Sequence, residues 1–212
     1  MDVGLRERKK LETRRVLWET ALDLFAERGF DNVAMAEIAA AANVSKTTVF
    51  NYFGSKEDLV MSPVEEHLDE PARVVRDRAP GESPVAALRR HFLAALAARD
   101  AATGISDQPN VLRVQRLITS TPALLPRLYT AAARTQELLA AELATVLDEP
   151  TARLAAAQIA ATRMVLVIEN RDRVLAGEPA DQVYPGAVSR AARAFDLLDG
   201  GLAVLFHQVD QG

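Results

Sequence analysis

The sequence predicts an all-α protein, and three observations carry that expectation. Ala, Leu and Arg, all strong helix formers, are the commonest residues. Runs of β-branched residues with alternating polarity are missing. Apolar residues recur at three- and four-residue spacing in segments punctuated by glycine near the start and by proline further on. With 212 residues the chain has room for a small helical head joined to a larger helical body, and both can bury a core.

Leu11, Trp18, Leu22 and Phe25 share helical spacing, and Gly29 after Arg28 is a stop signal, so a first helix is expected over residues 9–28. Met35, Ile38, Ala39 and Ala42 give a second, short apolar face. "ANVS" then breaks the pattern before a third helix resumes at Lys46 with Ser45 as its N-cap. Ser55 or Gly54 opens a fourth, with Glu57 and Asp58 in its first turn, where carboxylates favour the positive end of the helix dipole. Pro63 and Pro71 interrupt that fourth segment, and a kink or break is expected near Ser62. Beyond it, "APGESP", "SDQPN", "STP", "DEP", "AGEP" and "YPG" separate helices expected over residues 84–99, 108–119, 123–147, 151–176 and 185–207. The head is placed at residues 1–56 and the body at 57–212.

Composition excludes several kinds of chemistry. The chain has no cysteine, so disulfides, thiol nucleophiles and thiolate metal sites are out. His67, His91 and His207 lie far apart, and no metal-ligand spacing, GxSxG or phosphate loop occurs, so no catalytic residue, metal or cofactor is expected. "VEEHLDE" around His67 reads as a solvated helix face. The charged start lacks an apolar stretch behind it and no run of about 18 apolar residues is seen; the expectation is a cytoplasmic protein without a membrane span. All four lysines lie in the first 56 residues, where nine basic residues face eight acidic ones; 16 and 21 follow in the rest. A near-neutral head with a basic leading edge on an acidic body suits local contact with a polyanion.

Helix, short turn and helix, with Ala39 tight inside and Val44 anchoring the turn, is the spacing of a helix-turn-helix unit. Lys46, Thr47, Thr48 and Asn51 fall on about one face of the third helix, and Val49, Phe50 and Phe53 largely on the other. Hydroxyl and amide groups suit base edges in a major groove, and Lys46 can reach guanine or phosphate. Tyr52 and Lys56 come later and suit phosphate contact. A double-stranded DNA operator is the partner this pattern implies.

Residues 11–60, through "LFAERGF", "IAAAANVS" and "FNYFGSKEDL", resemble the DNA-binding domain of the tetracycline-repressor (TetR) family. The resemblance covers about a quarter of the chain. It implies an obligate homodimer, DNA contacts at Lys46, Thr47, Thr48, Asn51, Tyr52 and Lys56, and a ligand chamber among the remaining helices. The sequence departs from the family pattern before the second helix, where Val33 and Ala34 replace a capping hydroxyl, a role left to Asn32. The implied function is a small-molecule-responsive regulator, a repressor on a palindromic operator. The alternative, resting on Val33 and Ala34, is a helical small-molecule-binding protein whose head lacks specific DNA binding.

His91, Phe92, Arg113, Arg116, Tyr129 and Arg163 are the ligand-contact candidates of the body, because each sits in an apolar helical segment. An inward-facing arginine is costly unless it meets an anion; the arginines either do so or reach solvent and acidic neighbours. Many Ala and Leu positions with few aromatics favour an apolar or amphipathic ligand, a fatty-acyl chain with an anionic end among them. Segments 151–176 and 185–207 combine small and large apolar residues, which suits a four-helix dimer interface, with ordinary intramolecular core as the competing reading.

Overall fold

The computed structural model describes residues 3–207, and every element among them is helical. The helices are α1 Val3–Arg28, α2 Met35–Ala41, α3 Lys46–Tyr52, α4 Lys56–Glu65, α5 Glu70–Arg76, α6 Pro84–Ala97, α7 Pro109–Ser120, α8 Leu125–Leu143, α9 Glu149–Leu175 and α10 Ala180–His207. Two compact units emerge. Residues up to Pro63 join Arg113–Leu128 in the first, and Val64–Leu112 join the residues from Tyr129 onward in the second.

In the first unit α1 starts six residues earlier than expected and stops on schedule. Gly29 adopts φ +80°, its N–H bonding back to Phe25 O at 2.9 Å. The face of α1 that packs is Leu17, Ala21, Leu22 and Phe25; Leu11 is exposed and Trp18 only half-buried, so the expected stripe is shifted. Ile38, Ala39, Val49, Phe53 and Leu59 complete this small core. The α2–α3 turn is closed by Val44 N to Ala39 O at 2.9 Å, with Asn43 in the left-handed region at φ 54°. Asn tolerates that conformation better than most residues.

The expected break falls later than Ser62. Pro63 is accommodated inside α4, which runs to Glu65, and the interruption comes at residues 66–69. Pro71 sits in the first turn of α5, where its missing N–H costs nothing.

The second unit is built around α6, α9 and α10. Leu88, Phe92 and Leu96 of α6, Ala152, Ala155, Ala156 and Ile159 of α9, and Val183, Ala187, Ala191 and Phe195 of α10 are all buried. The alanines let the helices approach closely, and the Phe92 and Phe195 rings fill the gap with centroids 5.9 Å apart. The segment after α6 is clamped to this core. Gly104, at φ +76°, lies so close to α9 that a Cβ there would overlap the Val167 carbonyl oxygen. Buried Asn170 donates from Nδ2 to Thr103 O at 3.0 Å and accepts from Arg190 Nη2 at 3.0 Å. By length and composition α9 could also cross a membrane. In this fold one side of it lies in the core, while Leu154, Met164, Val165 and Ile168 are exposed.

Candidate nucleic-acid interface

The positioning of α3 begins with how α2 is capped. Ala34 stands at the N-cap without a side-chain acceptor, and Glu37 makes only the reciprocal half of a capping box: its Oε2 accepts from Ala34 N at 2.8 Å. Its Oε1 accepts from Arg28 Nη2 at 2.6 Å, tying α2 to the end of α1. The Ala34 N–H and then the Arg28 guanidinium hold the Glu37 carboxyl below its ordinary pKa. Asn32 does not take the capping role expected of it. It donates instead from Nδ2 to Arg28 O at 2.8 Å, closing the end of α1. The signal for Glu37 lies in the sequence, since an acid three residues into a helix is half of a capping box.

The cap of α3 is as expected: Ser45 Oγ accepts from Thr48 N at 3.0 Å and lies 2.8 Å from Thr48 Oγ1. Val49 and Phe53 are buried at 0% and 3% exposure and fix the helix against α1 and α2 from behind. Lys46, Thr47 and Asn51 are exposed, Thr48 and Tyr52 half-buried. The polar face therefore stands outward as one ridge, with Thr48 partly committed to the cap. Phe50 corrects the expectation: it is 44% exposed, because only Val49 and Phe53 can face the small core at once on so short a helix. Its ring lies beneath Lys46, Nζ to centroid 5.8 Å.

Lys56 is engaged within the protein. Nζ donates to Phe30 O at 2.8 Å and Val33 O at 3.4 Å, and sits 4.4 Å from the centroid of the Phe30 ring. It thus latches the start of α4 to the α1–α2 loop, leaving one N–H for a phosphate. A concavity of about 550 Å³ is lined by residues 31–37, Lys46, Phe50 and residues 54–57 beside this latch.

The six ligand candidates differ in their surroundings. Phe92 is core, at 2% exposure. Arg113 is exposed and pairs with Asp23 at 2.7 Å; Arg116 is exposed, and Tyr129 is 71% exposed. For Arg113 and Arg116 the inward position is thus overturned, the polar face of α7 turning away from buried Val114 and Ile118. His91 and Arg163 do meet, through Glu70 of α5. The Glu70 carboxylate lies 3.6 Å from His91 Nε2 and 3.8 Å from Arg163 Nη2. Arg163's side chain is 16% exposed, and burial lowers its pKa against the opposing pull of Glu70.

Residues 17–62 match the family model described as bacterial regulatory proteins, tetR family. This is a TetR-family head. The regulator TcmR of Streptomyces glaucescens is 33% identical over 123 residues, 58% of this chain and 54% of TcmR. LuxR of Vibrio harveyi is 50% identical over 50 residues, 24% of each chain. This chain spans about half the length of TcmR and less of LuxR. Among solved structures, NalD of Pseudomonas aeruginosa, described as the secondary repressor of a multidrug efflux pump, aligns at TM-score 0.58. It shares 19% identity over 86% of this chain and 96% of its own, a likeness of fold. The likeness of fold thus extends beyond the head to the helical body.

Proposed function

We propose that the protein is a transcription regulator, a repressor in the sense implied by the resemblance, that binds a palindromic DNA operator as a homodimer. The observation that carries this reading is the ridge on α3. Lys46, Thr47 and Asn51 are exposed while Val49 and Phe53 are buried directly behind them. A helix so mounted can enter a major groove, with hydroxyl, amide and ammonium groups meeting base edges and phosphates. Tyr52 and Lys56 then contribute phosphate contacts. The rival reading, a head without specific DNA binding, leans on the missing hydroxyl before α2, yet the start of α2 is still held by the bonds of Glu37 to Ala34 N and to Arg28.

The dimer places two copies of α3 about 34 Å apart, one turn of DNA. Its contact is the uncovered apolar side of α9, Leu154, Met164, Val165 and Ile168, with Leu197 of α10. Such a stripe is what a helix pair leaves for a second copy. A small apolar or amphipathic ligand, fatty-acyl chains included, shifts the dimer between head spacings and weakens DNA binding by its preference for one of them, typically about 1–3 kcal/mol.

The test is selection of duplexes from a random pool by the intact protein, followed by binding across a salt series. A palindromic consensus held far more tightly than random DNA is the expected result. Binding of the same strength to every duplex refutes the reading. Mass spectrometry of co-purified small molecules, and thermal-shift titration with fatty acids and acyl-coenzyme A, tests the ligand class.

A further inference from the structure

We propose that Phe50 reads DNA: its ring makes apolar contact with the methyl group of one thymine at a fixed position in each half-site. The inference rests on the DNA-binding reading of the head and names a determinant of its specificity. Phe50 is 44% exposed on a seven-residue helix whose neighbouring apolar residues Val49 and Phe53 are almost fully buried. A phenyl ring has no hydrogen-bonding group, so exposing it to water is unfavourable, and the Lys46 ammonium 5.8 Å from its centroid offsets only part of that.

On a helix Phe50 lies about 40° from Lys46 and about 60° from Thr47, which puts it on the outward side with the polar ridge. Lys46 Nζ sits 5.8 Å from its ring centroid, so a cation flanks the ring. Exposed, polar Lys46 flanks it, and the ring also lines the recess with residues 31–37 and 54–57, so the apolar spot is small and set among polar and charged groups rather than part of a broad patch. In the major groove only thymine offers an apolar group, its C5-methyl. The flanking ammonium meets the polyanion while the ring meets the methyl.

The experiment uses the duplex selected by the intact protein. Each thymine is replaced in turn by deoxyuridine, which removes the methyl and leaves every hydrogen-bonding edge unchanged. One position in each half-site should weaken wild-type binding about four-fold, the effect of one buried methyl-sized group. 5-Bromodeoxyuridine there should restore binding, and Phe50→Ala, checked for folding by thermal melting, should be indifferent to the change. If no thymine methyl matters to the wild-type protein, the proposal is overturned, whatever the variant does. Equal uridine penalties in wild type and Phe50→Ala overturn it as well. Absence of any selected sequence sinks the DNA-binding reading itself, and this inference with it.

Discussion

Replacing Lys56 by Met separates the two roles open to this side chain. Methionine keeps an unbranched apolar stem of similar length and removes only the ammonium. In the head that ammonium makes a 2.8 Å hydrogen bond to Phe30 O, a longer one of 3.4 Å to Val33 O, and a contact with the Phe30 ring at 4.4 Å. A hydrogen bond from a charged donor contributes about 1.5–3 kcal/mol, and a partly exposed cation–π contact about 0.5–1 kcal/mol. The 3.4 Å bond adds little, and the recess beside the latch lets water reach the freed carbonyls, which moderates the loss. Destabilisation of about 2–4 kcal/mol is expected. For a chain of this size that lowers the melting temperature by about 4–16 °C, if head and body unfold together. Thermal and urea unfolding of the intact variant measure it, alongside the salt dependence of DNA binding. A pure phosphate contact gives the opposite signature: unchanged melting, with the salt slope lowered by about one unit. Melting within about 1 °C of wild type refutes the latch.

Other outcomes follow from the same geometry. Gly104→Ala should cost about 2–5 kcal/mol in chemical denaturation, from left-handed strain and overlap with α9; an unchanged midpoint counts against the close approach. Met164→Asp combined with Val165→Asp should yield monomers in sedimentation, whereas Phe195, buried in its own protomer's core, is no probe of the interface. Asn51→Ala should cost about 1–3 kcal/mol on the selected operator and almost nothing on random DNA; equal losses on both rule out base reading. Glu37 has a folded-state pKa below its unfolded value, so its stabilisation is present above the unfolded pKa and lost as pH falls through the folded one. Glu37→Gln should therefore flatten the acid side of the stability profile, and an identical profile in both proteins argues against the cap.

The all-α class, the helix-turn-helix unit and the outward placement of Lys46, Thr47 and Asn51 were legible in the sequence, because they depend on local interactions. Ser45 caps α3 and Gly29 ends α1 through bonds spanning three or four residues, which the chain carries wherever it goes. The order and approximate limits of the body helices followed from proline punctuation for the same reason. Tertiary structure decided what periodicity leaves open. Helical spacing gives each side chain an angle but not the neighbour that covers it, so Phe50 emerged exposed, Leu11 lay outside the core, and Arg113 turned to Asp23. Lys56 looked like a free cation until the fold brought Phe30, 26 residues earlier, beneath it. Glu70, His91 and Arg163 come from three helices, and no local signal announces that they meet. Local hydrogen bonding is written in adjacent residues; burial and long-range charge pairing exist only once distant segments pack.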